Sequence, residues 1–347
     1  MNYILVVGGG GFIGSYMVKM LARSGYHPVT LDNLSTGYPD AVLDGQLIVG
    51  SMGDEQLLNQ IFRQYDIAAV MHFAGCSQVG ESVYDPAKYY RNNVTATQVL
   101  LDAMNTHNVK RLVFSSSAAV YGNPQYVQID ENHPKDPISP YGKSKWMVEQ
   151  ILEDYDKTYG LRSISLRYFN AAGADLDGKP GERHEPENHL IPLALQTGLG
   201  YHDALTIYGT DYETRDGTCI RDYIHIEDVC TAHLAALQTL LGGAPSGAYN
   251  LGNDKGFTVK EVIEVVEHVL QRNIPVVHGK RREGDPSSSV ANSKRAKTEL
   301  NWSPRHKTLA QIVQYAALWE IKLFKASAHS TNPATIKTGL KRQTKRM

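Results

Sequence analysis

The chain has 347 residues and a hydrophobic content of 42%, enough for one large or two modest domains with a sizeable core. With 35 basic against 36 acidic side chains, no global field favours nucleic acid. No apolar run reaches the length of a membrane span, and MNYILVVGGG enters an apolar strand without a basic n-region or cleavable signal, so a cytoplasmic protein is expected.

The first half alternates between two hydrophobic periods. YILVVG reads as a short apolar strand, and FIGSYMVKMLARSG as a helix closed by a glycine. HPVTLDN is a second strand, DEQLLNQIFRQY an amphipathic helix with Asp54 as its N-cap, and IAAVMHFAG a third strand. A long helix, AKYYRNNVTATQVLLDAMNTHN, precedes strand KRLVFSSS, and the strand RSISLRYFN follows a further helix that begins at SPYGKSK. Such alternation predicts an α/β fold, a doubly wound parallel sheet covered on both faces.

After Asn170 the texture changes. AAGADLDGKPGERHEPENH is rich in Gly, Pro and charge and reads as a long functional loop. The strands and helices beyond it predict a smaller α/β substrate domain over 181–326, partly interleaved with a cofactor domain over 1–180. In particular, IRDYIHIEDVCTAHLAALQTLLGG reads as a strand and a helix returning to the first unit. The tail from Ser327 to Met347 is polar and basic without an apolar face, and reads as disordered. Cys76, Cys219 and Cys230 show no paired spacing, which fits a reducing compartment. The closest histidine cluster, HEPENH, lacks an HxxxH or HExxH spacing and sits in a loop-like stretch, so no metal is expected.

Two motifs carry chemistry. In GGGGFIGS, between strand and helix, Gly8 suits a tight turn, Gly11 lets a backbone approach a pyrophosphate, and Gly14 permits close helix–strand packing. The helix N-terminus then offers free N–H groups to the anion. Asp32, ending the next strand, can bind both hydroxyls of an adenine ribose and repel a 2′-phosphate, favouring NAD over NADP. In FSSSAAVYG followed by SPYGKSK, Tyr141 and Lys145 fall at i and i+4 on one helix face. A tyrosine needs a lowered pKa to act as a base near neutrality, and an adjacent ammonium and an oxidised nicotinamide both stabilise its phenolate. Ser117, at a strand end, can hydrogen-bond a sugar hydroxyl.

These motifs occur in one order with LDN, HFAG, VGES, NNV, RYFN, RDYIH and RREGD. Together they resemble the extended short-chain dehydrogenases/reductases and, within them, the nucleotide-sugar 4-epimerases acting on UDP-galactose and UDP-glucose, from the N-terminus to about Lys325. The resemblance implies NAD held tightly and recycled, C4 epimerisation through a 4-keto sugar, and a homodimer. Catalysis would fall to Tyr141, Lys145 and Ser117. NAD would meet Gly8, Gly11, Phe12, Ile13, Gly14, Asp32, Asn33, Ser51, Met52, Phe73, Ala74, Asn92, Tyr141, Lys145 and Tyr168. The UDP-sugar would meet Ser117, Tyr141, Asn170, Asn188, Leu190, Tyr208, Arg221, Arg282, Asp285 and Ser289. Two arginines suit a pyrophosphate because their guanidinium forks match its oxygens.

Two positions depart from the family pattern. Gly50-Ser51 stands where a GD pair commonly reaches the adenine, which weakens that contact. Ser289 falls where some members place a bulky tyrosine, so room for an N-acetyl group, and turnover of UDP-GlcNAc and UDP-GalNAc, are expected. A 4-epimerase of a UDP-pentose or UDP-uronate shares the same reaction core. A dehydratase commonly needs an acidic pair beside the serine, and AAVYG supplies none. A non-catalytic NAD sensor would not require Ser117, Tyr141 and Lys145 together.

Overall fold

The computed structural model describes residues 2–282 and 285–330. The first strand, β1 (Tyr3–Val7), is buried along almost its whole length and leads through the glycine turn into α1 (Phe12–Arg23). β2 (His27–Asp32) and a short edge strand, β3 (Gln46–Val49), follow. Asp54 caps α2 (Glu55–Gln64) as expected, its carboxylate accepting the Leu57 N–H at 3.0 Å. β4 (Ile67–His72) precedes two short helices, α3 (Val79–Tyr84) and α4 (Pro86–Tyr89). The expected long helix is interrupted: a π-helical turn, Tyr90–Thr95, joins α4 to α5 (Ala96–Thr106). Such turns gather at functional sites, and this one carries Asn92 and Asn93. β5 (Arg111–Ser117), α6 (Pro140–Tyr159) and β6 (Arg162–Tyr168) complete this half. Pro140 stands in the first turn of α6, and the Ser139 hydroxyl caps it by accepting the Gly142 N–H at 3.1 Å.

The expected strand through Asn170 divides at Phe169. β7 (Asn170–Ala172) leaves the main sheet and pairs instead with β9 (Ile220–His225). Between them lie the 173–189 loop, α7 (Leu190–Leu199) and β8 (Leu205–Tyr208). α8 (Ile226–Leu241) and β10 (Gly247–Leu251) then return to the large sheet. β11 (Gly256–Thr258), α9 (Val259–Leu270), β12 (Val276–Gly279), β13 (Ser288–Ser289), α10 (Lys294–Glu299) and α11 (Leu309–Ser330) close the described chain. α11 packs against α7 and α9 and runs through Ser330, so the segment expected to be disordered begins inside the bounds of that helix. The rest of the basic tail lies outside the described residues.

The large sheet is parallel throughout, with strand order β10-β6-β5-β4-β1-β2-β3. Two cores cover its faces. One packs Met17 and Leu21 of α1 against Val229 and Leu237 of α8, and the other packs Leu58 and Ile61 of α2 against Leu100 and Leu101 of α5. The strand order reverses between β1 and β4, and a crevice opens there at the carboxyl ends of the strands. A third core, built on α7, α9 and α11, supports the small sheet β11-β9-β13 beside that crevice. No helix among the described residues is long and apolar enough to cross a membrane.

Candidate active site

The glycine turn is shaped by its neighbours. Gly8 has φ +82°, and a Cβ there would lie 2.4 Å from the Ala74 nitrogen. A Cβ on Gly14 would meet the Gly8 carbonyl oxygen at 2.1 Å. Gly11 differs: its only near neighbour is that same oxygen at 3.5 Å, so its face opens outward. The first N–H groups of α1, from Phe12 and Ile13, have no intrahelical acceptor and lie beside this opening. Asp32 is 8% exposed, and its carboxylate accepts the N–H groups of Gly10 and Leu34, both at 2.8 Å. A backbone cradle of this shape, ending in a carboxylate, fits the pyrophosphate and ribose of a dinucleotide.

Other expected cofactor residues surround that cradle unevenly. Ala74 donates its N–H to the Val7 carbonyl, and Phe73 packs on His233 with ring centroids 4.8 Å apart. Asn33 and Ser51 are exposed and occupied in local turns, accepting from Ser35 and Gly53. The Met52 side chain is buried in the α2–α5 core and presents only its backbone. Asn92 donates to Asn93, a residue the sequence reading passed over. Asn93 is buried and ties three parts together: its carbonyl accepts the Cys76 N–H at 2.8 Å, and its amide donates to the Cys76 carbonyl and to Ser144 on α6, both at 3.0 Å. Its visible signal was the NNV triplet, whose second asparagine the π-helical turn directs inward.

The reactive groups meet at the end of β5. Ser117 ends that strand in register with Tyr168 of β6. Tyr141 is 9% exposed, and the neighbouring Ser117 hydroxyl favours its phenolate. Lys145, 5% exposed, donates to the Ser115 carbonyl at 2.9 Å and stands 6.0 Å from the centroid of the Tyr141 ring. Burial lowers the Lys145 ammonium to about 8, while burial raises the Tyr141 phenol and the Ser117 hydroxyl opposes that rise. The expected lowering at Tyr141 is therefore not produced by the protein's own groups, because desolvation outweighs them. Burial likewise raises Tyr168. Behind the site, Glu149 and Arg167 form a buried ion pair, with Nε 3.0 and 3.1 Å from the two carboxylate oxygens. Arg167 also donates to Tyr121, and Ser116 to Glu149, so α6 is fixed against β5 and β6.

The expected sugar-nucleotide residues cluster around β9. Asn170 pairs with Tyr223 in register, and its amide donates to the Asp222 carbonyl at 2.9 Å. Arg221 pairs with Ser289 in register and forms an ion pair with Asp285 at 2.8 Å. The Arg282 guanidinium lies 4.0 Å from the centroid of the Tyr208 ring. Leu190 opens α7, and Asn188, just before it, is half-buried with its N–H on Glu187. The fold thus brings Asn170, Arg221, Asp285 and Ser289, spread over more than a hundred positions, together along β9.

Residues 4–252 match the NAD dependent epimerase/dehydratase family. The chain belongs to that family. Among its relatives, a UDP-glucose 4-epimerase of Rhizobium meliloti is 48% identical over 318 residues, spanning 92% of this chain and 97% of that protein. The crystal structure of a UDP-glucose 4-epimerase from Brucella ovis in complex with NAD is 46% identical, with a TM-score of 0.89 over 91% of this chain and 98% of that one. A UDP-Glc/GlcNAc 4-epimerase from Campylobacter jejuni is 36% identical, with a TM-score of 0.81 over 93% of this chain and 100% of that one. As a member of the epimerase/dehydratase family, the chain keeps a tyrosine and a lysine on α6 and a serine at the end of β5.

Proposed function

We propose that the protein interconverts UDP-galactose and UDP-glucose by NAD-dependent epimerisation at C4. The observation that carries this reading is the buried Tyr141 phenol on α6, one turn from the buried Lys145 ammonium and beside Ser117 at the end of β5. NAD, when bound, supplies a hydride acceptor and a positive charge beside the sugar. Tyr141 takes the proton of the 4-hydroxyl, Ser117 orients that hydroxyl, and Lys145 favours the phenolate. Gly8, Gly11, Gly14, the N-terminus of α1 and Asp32 hold the dinucleotide, with Phe12, Ile13, Asn33, Ser51, Met52, Phe73, Ala74, Asn92 and Tyr168 around it.

Epimerisation then requires the 4-keto sugar to turn over while its tail stays fixed. Arg221 and Arg282 are suited to the diphosphate, with Asn170, Asn188 and Leu190 beside it and Tyr208 and Asp285 toward the uridine. In this reading Arg221 exchanges part of its hold on Asp285 for phosphate oxygens. A Tyr141→Phe variant tests the assignment. It keeps its shape but cannot accept the proton, so turnover falls about 100- to 10,000-fold with NAD content unchanged. Full activity in that variant would reject the role.

A specific observation extends the substrate range. Ser289 is small and lies beside Arg221 on β13, which supports acceptance of UDP-GlcNAc and UDP-GalNAc. We also read the protein as cytoplasmic and homodimeric. Three free thiols support the first. Exposed Val83 and Tyr84 on α3, packed beside α6 with its exposed Met147, support the second. Analytical ultracentrifugation giving a monomer would remove the dimer.

A further inference from the structure

The loop between β7 and α7 brings together four side chains that the reaction does not use as a set. Glu182, His184, Glu187 and His189 each offer one ligand atom, and these atoms all lie within 4.8 Å of one another. Three of them lie in HEPENH, where the absence of a metal-ligand spacing led to the expectation of no metal, and Glu182 stands outside that segment. The loop's own path closes the cluster.

The distances are informative. His184 Nδ1 lies 3.4 Å from Glu182 Oε1 and 3.5 Å from Glu187 Oε2, and His189 Nδ1 lies 3.3 Å from Glu187 Oε1. These separations exceed a normal N–H···O hydrogen bond, which spans about 2.7–3.2 Å. His184 Nδ1 is sealed from solvent and has no hydrogen-bond partner, although two carboxylates face it. Donor atoms around a tetrahedral metal, bound at about 2.0–2.1 Å, stand about 3.3–3.4 Å apart. The two His184 distances, to Glu182 Oε1 and Glu187 Oε2, match that edge, while His189 pairs directly with Glu182 at 2.6 Å and meets Glu187 through its other oxygen, Oε1.

The cluster is also built into the fold. Glu182 is 5% exposed, and its backbone carbonyl accepts the Trp319 indole N–H at 2.7 Å. Glu187 Oε1 accepts the N–H groups of Asn188 and His189 at 2.8 and 2.9 Å, which fixes the carboxylate. Arg183, between two of the ligands, turns the other way, stacking 3.3 Å from the Tyr38 ring centroid and pairing with Asp40. Such outer contacts orient ligands in metal sites.

We propose that Glu182, His184, Glu187 and His189 form a four-coordinate site for a divalent transition metal, with Zn²⁺ best suited to the two imidazole and two carboxylate donors. Mg²⁺ and Ca²⁺ favour all-oxygen shells and do not suit the two nitrogens. Four protein ligands leave no open position, so the site is structural. Its effect is to fix the 181–189 segment, which runs directly into Leu190 and α7.

The test uses the full chain. Protein treated with a chelator is titrated with Co²⁺, whose tetrahedral complexes absorb strongly in the visible. The expected result is one equivalent bound, a tetrahedral band, bleaching by Zn²⁺, and a higher melting temperature with either metal. His184→Ala and Glu182→Gln should each weaken binding about 100-fold or more. His306→Ala, which alters the separate His225–Glu227–His306 group, should leave the band unchanged. Absence of a tetrahedral band in the wild-type chain would overturn the proposal whether or not the variants fold. A band that survives in His184→Ala, or disappears in His306→Ala, would also overturn it.

Discussion

Lys145 and Tyr141 lie one turn apart on α6, yet the ammonium donates to the Ser115 carbonyl at 2.9 Å and stays 6.0 Å from the centre of the phenol ring. The lysine therefore acts on the tyrosine as a nearby charge and is anchored by the strand. Burial holds Lys145 at about 8, so it keeps its proton at neutral pH. Burial raises the Tyr141 phenol, and the Ser117 hydroxyl opposes that rise.

Replacing that charge should move the pH profile in a defined direction. A cation favours the phenolate, so Lys145→Met raises the Tyr141 pKa. The acid limb of kcat/KM then shifts to higher pH. A neighbouring charge changes a pKa by about 1–3 units, so the neutral-pH rate should fall about 10- to 1000-fold. An unchanged profile with a uniformly lower rate would assign Lys145 to positioning alone.

The glycine cradle separates packing from binding. Gly14→Ala places a Cβ 2.1 Å from the Gly8 carbonyl and should destabilise the protein by about 1–3 kcal/mol in urea denaturation. Gly11→Ala meets nothing nearer than 3.5 Å, so its stability without cofactor should change by less than about 0.5 kcal/mol. Its retained NAD, measured by absorbance after denaturation, should fall sharply. Normal NAD content in Gly11→Ala would place the pyrophosphate elsewhere.

Glu149 is predicted to matter for stability through Arg167. The pair is 5% and 4% exposed at its side chains, and removing the carboxylate leaves a buried guanidinium without its partner. Glu149→Ala should cost about 3–5 kcal/mol. Glu153→Ala breaks an exposed pair with Lys157 on the same helix and should cost about 0.5 kcal/mol or less. Equal losses would show that the burial of the first pair has no energetic consequence.

Substrate width should depend on residue 289. Ser289→Tyr puts a bulky ring beside Arg221 and should lower turnover of UDP-GalNAc about 10- to 200-fold while sparing UDP-galactose. Equal loss on both substrates would assign Ser289 to the fold of β13 instead.

What the sequence made legible was local. The glycine turn, the Asp54 and Ser139 caps, and Tyr141 and Lys145 one turn apart each depend on residues within a few positions of one another. The edge strand β3 was missed because only two of its four residues are even half-buried, so it carries little hydrophobic signal. The π-helical turn was missed because its apolar spacing resembles an ordinary helix until Asn93 must reach Ser144. The break at Phe169 followed from a contest that sequence does not display, in which Asn170 pairs with Tyr223 more than fifty residues away. Three residues of the Glu182–His189 cluster lie in HEPENH, which was expected to hold no metal because an irregular loop has no period from which a shared face can be read.

The most direct test of the account is to supply UDP-galactose to purified protein without added NAD and to measure UDP-glucose. Retained cofactor and the Ser117, Tyr141 and Lys145 site predict steady conversion to an equilibrium mixture. No conversion, even after NAD is supplied, would contradict the assignment of this reaction to the chain.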